Sequence, residues 1–274
     1  MRVPVRVPVA GFSLVELAIV LFIVGILMLS LMSTLSSQAD QRNTDDTRRR
    51  IEQARELVLA FAIINGRLPC PARTAATAAP VTVAGDEVLT PPAAGCIGDA
   101  VTDYYGGVNG GVTLGLLPAR TIGFQQVDSN GFAVDAWGNR IRYAVANLTT
   151  PAGPCPTPHF VNAANLKNNG VACQPNDLLI CKSSTGITAT TCGGGANQIM
   201  SQSLVTAIIL STGKNGAVAC ATCPDETANT NGDRVFVFHT PTPSGAANGE
   251  FDDQMTWITV GELYGKLIAA GVLP

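Results

Sequence analysis

The stretch Gly11–Leu35, GFSLVELAIVLFIVGILMLSLMSTL, decides how this chain is read, because from Phe12 onward Glu16 is its single charge. As a helix rising about 1.5 Å per residue, the run reaches roughly 36 Å, enough for a hydrocarbon core of roughly 30 Å. It is expected to cross a membrane, with Arg2 and Arg6 left on the cytoplasmic side. The competing reading is a cleaved secretory signal with Ser37-Gln38-Ala39 as the small-x-small cut. The run is longer than a signal core of about 7 to 15 residues and holds a carboxylate near its start, and both features argue against it.

Working outward, no proline stands between Pro8 and Pro69, and glycine occurs there only at Gly11, Gly25 and Gly66. One continuous helix is predicted from about Phe12 to about Ile64. Its second half is amphipathic. Ile51, Ala54, Leu57 or Val58, Phe61 and Ile64 recur at spacings of three and four, against Arg48, Arg49, Glu52, Arg55 and Glu56. The run Arg48-Arg49-Arg50 sits among Asp40, Asp45, Asp46 and Glu52, so it reads as a salt-bridged helix face rather than a nucleic-acid patch.

The whole chain has 274 residues, 46% hydrophobic and 14% charged, which excludes a disordered polyelectrolyte. Its formal charge of −3 supplies no electropositive field, so nucleic acid is not the default partner. After Gly66 the composition turns to Gly, Pro, Thr, Ala and Asn around short β-prone runs. Strands are predicted at Asp177–Cys181, Leu204–Ser211, Arg234–His239 and Met255–Val260, followed by a short helix over Gly261–Ala270. A hairpin is predicted from Gly131–Asp135 through Ala136-Trp137-Gly138-Asn139 into Arg140–Val145, with Ile141, Tyr143 and Val145 on one face. Pro151–Pro158 and Pro241–Gly249 read as exposed connectors.

A carboxylate inside an apolar helix is costly and is kept for a partner or a role. The segment Gly11-Phe12-Ser13-Leu14-Val15-Glu16-Leu17 and the apolar run after it resemble the amino terminus of type IV prepilins and pseudopilins. The resemblance implies that a prepilin peptidase/methyltransferase cuts after Gly11 and methylates Phe12. It also implies that Glu16 pairs with the terminal ammonium of a neighbouring subunit during assembly on an inner-membrane platform. Such a cation at a helix amino terminus in low dielectric suits one anionic Glu16. Asp135-x-Trp137-Gly138-Asn139-x-x-x-Tyr143 resembles the Trp-Gly turn of major pseudopilins. Many major pilins have a helix-bending proline where Ser33 stands here.

The expected fold is therefore α+β: a long helix, half in membrane or filament core and half amphipathic, packed on an antiparallel sheet domain with disulfide-stapled loops. The divisions are a leader over 1–11, a transmembrane helix over 12–35, its amphipathic continuation over 36–66 and a loop-rich β domain over 67–274. The expected protein is a non-enzymatic minor pilin or pseudopilin of a type IV pilus or type II secretion filament. It would begin as a single-pass inner-membrane precursor with a periplasmic carboxy-terminal domain and end in a periplasmic or extracellular filament. The alternatives are a filament-borne module that binds a surface, DNA or a secretion substrate, and a membrane-anchored hydrolase using His159 or His239.

The remaining motifs carry less. Ser211-Thr212-Gly213-Lys214-Asn215-Gly216 follows an apolar run but lacks the first glycine and the final Ser or Thr of a phosphate loop, and reads as a turn. Two histidines and no G-x-S-x-G give a serine hydrolase little to build on. Asp225, Asn229, Asn231 and Asp233 crowd four oxygen side chains around Gly232, a composition suited to calcium, although such loops often serve the turn itself. Asp252-Asp253 reads as a cation-binding or turn-capping pair. Eight cysteines, with only Cys220 and Cys223 in C-x-x-C spacing, point to disulfides in an oxidising compartment rather than a zinc knuckle. Local pairing is the working expectation among the many connectivities allowed: Cys70 with Cys96, Cys155 with Cys173, Cys181 with Cys192, and Cys220 with Cys223. No other cofactor is expected.

Overall fold

The computed structural model describes residues 13–74, 83–90, 95–96, 104–109, 112–147, 155–216, 220 and 222–274. The chain divides into two compact units, Met1–Asp45 and Asp46–Pro274. The boundary falls within helix α1 (Leu14–Asn65), the product of a long stretch without proline.

In the first unit, α1 starts with a capping box. Glu16 N–H donates to Ser13 Oγ at 3.2 Å, and Ser13 N–H donates to the Glu16 carboxylate at 3.0 Å. Every large apolar side chain from Leu14 to Leu27 is exposed, at 42 to 86%. The expected membrane span is corrected here: no helix among the described residues is long and apolar enough to cross a membrane. A transmembrane helix over 12–35 and a single-pass inner-membrane placement are therefore unsupported, as is the membrane half of the expected fold. The α+β class, the antiparallel pairing and the disulfides remain.

In the second unit, the rest of α1 buries Thr47, Ile51, Ala54, Val58, Leu59 and Ala62. The expected stripe is corrected at its end, where Ile64 is 81% exposed. Steps of four, three, four and four from Thr47 lead to Ala62, and Ile64 lies two residues, about 200°, past that face. Polar contacts fix the helix further. Arg50 donates to the carbonyls of Val134 and Asp135 and pairs with Asp46 at 2.7 Å. Arg55 donates to the Trp257 carbonyl and pairs with Glu262.

Strands β1 (Leu89–Thr90) and β2 (Gly95–Cys96) form one small antiparallel pair, and β3 (Gly107–Asn109) and β4 (Val112–Leu114) another. Helix α2 (Ala119–Ile122) leads towards the 134–140 turn and β5 (Arg142–Val145). Helix α3 (Ala163–Asn169), capped by Asn162, precedes β6 (Leu179–Cys181) and β7 (Gln198–Met200). Then come β8 (Val205–Ser211), α4 (Pro224–Ala228), β9 (Val235–Val237), β10 (Gln254–Thr259) and α5 (Val260–Ala269). The main sheet has the order β10-β8-β5, antiparallel throughout, with Trp257 opposite Ile208 and Ala144 opposite Ile208. All of β8 is buried, as its apolar run Val205–Leu210 requires for a central strand. The second sheet has the order β7-β6-β9, and its β6–β9 pair is parallel. The long path between those two strands makes a parallel return possible.

Four disulfides staple the loops: Cys70–Cys96, Cys155–Cys173, Cys181–Cys192 and Cys220–Cys223. Each closes a short local loop and narrows the unfolded ensemble of a domain rich in irregular backbone.

Candidate metal centre

At the end of β8 the chain turns through Gly213, whose φ of +63° is left-handed. A Cβ there would lie 2.1 Å from Asp252 Oδ1, so only glycine lets the turn approach that side chain. The backbone N–H groups of Lys214 and Asn215 donate to Asp252 Oδ2 at 2.8 and 3.2 Å. The resemblance to a phosphate loop thus has a physical basis: the turn does cradle an anion, and the anion is the protein's own carboxylate.

Two further carboxylates meet Asp252. Glu226, on α4, accepts the N–H of Asp252 at 3.0 Å and both contacts from the Asn215 amide, at 2.9 and 3.0 Å. Asp253 leads into β10 and accepts the Asn229 amide at 2.7 Å. One carboxylate oxygen from each of Glu226, Asp252 and Asp253 lies within 4.8 Å of the others. Asp253 is 3% exposed. Asp252 Oδ1 and Asp253 Oδ1 are both buried with no hydrogen-bond partner. Burial, joined by the negative charges of Glu226 and Glu250, pushes Asp252 up to about 6. Burial, Glu226 and Asp252 likewise push Asp253 well above the usual carboxylate range, and the nearby Arg142 guanidinium opposes this shift. Oxygen donors at this density with two orphaned acceptors fit a hard divalent cation such as calcium, which the three carboxylates would hold. A bound cation would replace the missing hydrogen bonds and cancel the mutual repulsion that raises both aspartates.

The turn beneath is braced by the Asp135–Asn139 element. Asp135 Oδ1 accepts N–H groups of Trp137 and Asn139 at 2.9 and 2.8 Å, and Oδ2 accepts the Ser211 hydroxyl at 2.6 Å. Asn139 donates to the Gly213 carbonyl at 2.6 Å. The Trp-Gly turn therefore positions the Gly213 turn, which in turn holds Asp252.

The calcium set expected at Asp225, Asn229, Asn231 and Asp233 is not one cluster. Asp225 accepts from the Ser184 backbone and hydroxyl, from Asn248 and from His239. Burial raises its pKa, but those bonds outweigh it and hold the carboxyl below its ordinary range. Asn229 ties its own amide to the Val237 backbone and to Asp253. Asn231 and Asp233 serve each other and the N–H of Val235. Turn contacts take up Asn231 and Asp233, distant side chains take up Asp225, and Asn229 reaches the candidate metal centre only as a donor to Asp253. Glu226 carried no signal in sequence. The turn after β8, whose amides need an anion, and the Asp252-Asp253 pair before β10 were the two clues available.

The histidines do not form a hydrolytic pair with a serine. His159 is buried against Tyr264, 3.2 Å from its hydroxyl, and burial lowers its pKa to about 4. His239 contacts Asp225 at 3.1 Å, and Ser184 approaches the same carboxylate from its other oxygen. The acid thus stands between base and hydroxyl, the reverse of a catalytic order. Glu16 lies in the first unit, closed on Ser13, and Gly11 and Phe12 lie outside the described residues.

Compared with protein-family models, curated proteins and solved structures, the chain matches none.

Proposed function

We propose that the chain is a structural subunit of a filament of the type IV pilus or type II secretion kind, a minor pilin or pseudopilin joined to its neighbours through Leu14–Leu27. One observation carries the reading: apolar side chains from Leu14 to Leu27 are exposed on every side of the helix. A helix that is apolar all round is a core element in need of surroundings, and like helices from other copies supply them. Contacts between non-equivalent faces of identical subunits propagate into open helical assemblies rather than closed dimers. Glu16, near the start of the exposed segment, is the residue for which the prepilin resemblance supplies a partner, a neighbour's terminal ammonium.

The test is oxidative cross-linking of a Phe22→Cys variant in cells, with mass spectrometry of the mature amino terminus. The expected results are a disulfide-linked dimer, since one added thiol joins only two copies, a terminus at methylated Phe12, and loss of that dimer in a Glu16→Leu background. Normal polymer yield from Glu16→Leu, or a terminus at Asp40, overturns the reading. Loss of adhesion or DNA uptake with filament number unchanged would favour the binding-module alternative.

A further inference from the structure

Glu226 has a second set of neighbours besides the two aspartates. Cys223 directly precedes Pro224, the first residue of α4, so one helical turn brings Glu226 back beside the Cys220–Cys223 bond. Both sulfurs and a Glu226 carboxylate oxygen lie within 4.8 Å of one another. Seven of the eight cysteines are buried, at 0 to 6% exposure, whereas Cys220 is half-buried. An incoming thiolate therefore reaches this bond, through Cys220, more readily than the other three. The turn is also braced. A Cβ on Gly249 would lie 2.2 Å from the Thr222 carbonyl oxygen, so two backbones touch there and support the turn independently of the bond.

We propose that the Cys220–Cys223 bond is a redox-sensitive closure whose reduction creates a site for a thiophilic divalent cation such as zinc, with Cys220, Cys223 and Glu226 as ligands. The inference goes beyond the filament role, and its test is independent of assembly. A dithiol attacks Cys220 Sγ, a sulfur–sulfur bond forms between them, and the electron pair of the broken bond leaves on Cys223 Sγ. The second thiol of the reductant then displaces Cys220. The reductant departs as its own disulfide, and the protein holds two thiols carrying the two protons. A cation displaces those protons as it binds. Two thiolates in C-x-x-C spacing with one carboxylate give three protein ligands and a fourth, open position, a donor set that selects zinc over calcium. Because Glu226 belongs to both donor sets, the oxidised protein commits it to a hard cation beside Asp252 and Asp253, and the reduced protein commits it to a soft one.

The experiment uses the full chain, reduced with limiting dithiothreitol and mapped by alkylation, then titrated with cobalt(II) and afterwards with zinc. The expected result is alkylation confined to Cys220 and Cys223, a thiolate-to-cobalt charge-transfer band saturating at one ion per chain, and its bleaching by zinc. The oxidised chain shows no band, Cys220→Ser abolishes it, and Glu226→Gln weakens zinc by at least about tenfold, a scale on which even outer-sphere groups act. Three outcomes overturn the proposal: prior reduction of another disulfide, loss of the far-ultraviolet dichroism on reduction, or zinc affinity unchanged in Glu226→Gln.

Discussion

The two ends of helix α1 share one backbone conformation and differ in every other respect. From Leu14 to Leu27 the apolar side chains all face outward, whereas from Asp46 to Asn65 a single stripe through Thr47, Ile51, Ala54, Val58 and Ala62 is sealed into a core. The first end is helical because its residues favour helix and Ser13 with Glu16 caps it. The second is fixed in place by Arg50 and Arg55 as well as by burial. Helix formation is thus a local property, and what a helix is for depends on which of its faces has a partner.

The comparison breaks most sharply by substitution. Val58→Asp puts an unpaired charge at a fully buried position and is expected to cost about 4 kcal/mol or more, abolishing cooperative thermal unfolding of the second unit. Val20→Asp, half exposed at 51%, is expected to leave that transition unchanged. Equal effects from the two would erase the distinction. Next in size, Gly249→Ala forces a side chain against the Thr222 carbonyl at a φ of +78°. A loss of about 2 to 3 kcal/mol in denaturant titration is expected.

Calcium distinguishes the units by stabilisation. At about a hundredfold excess over its dissociation constant it should add about 2.7 kcal/mol to the second unit, read as a rise in Tm, and Asp253→Asn should remove the rise. The affinity should fall as pH drops through about 6, where Asp252 takes up its proton. Without calcium the sign reverses. A carboxyl raised from 3.8 to about 6 contributes stability fully present below its unfolded value and lost as pH rises through about 6. Asp252→Asn should flatten that slope. The smallest effects belong to caps. Thr259→Ala deletes the acceptor of the Glu262 N–H and should cost about 1 kcal/mol in the second unit, whereas Ser13→Ala should shift only the helicity of the first.

Much of the fold was legible because it is periodic. The strand expected at Leu204–Ser211 is the buried central strand β8, and the one expected at Met255–Val260 lies beside it as β10. The helix after it starts at Val260, within a residue of its expected position. The expected membrane span rested on counting apolar residues alone, and no helix among the described residues is long and apolar enough to cross a membrane. Strand β9 falls within the expected Arg234–His239 strand, but its parallel pairing was invisible, since the partner lies far upstream and no local pattern encodes that pairing. The metal centre was half legible. Asp252-Asp253 stood out as a pair, but Glu226 and Asn215 come from separate stretches that only tertiary folding brings together. The oxygen-rich Asp225–Asp233 loop misled because Asn231 and Asp233 satisfy their own turn, while Asp225 is taken up by Ser184, Asn248 and His239 from other stretches.

The parallel contact between β6 and β9 joins segments that the local disulfides do not. Hairpin-like closures such as Cys181–Cys192 form between near neighbours, but Leu179 must wait for Val235 to emerge and diffuse back before the smaller sheet exists. The smaller sheet is therefore stapled within one short segment but completed only by a strand 235 − 179 = 56 residues further along the chain.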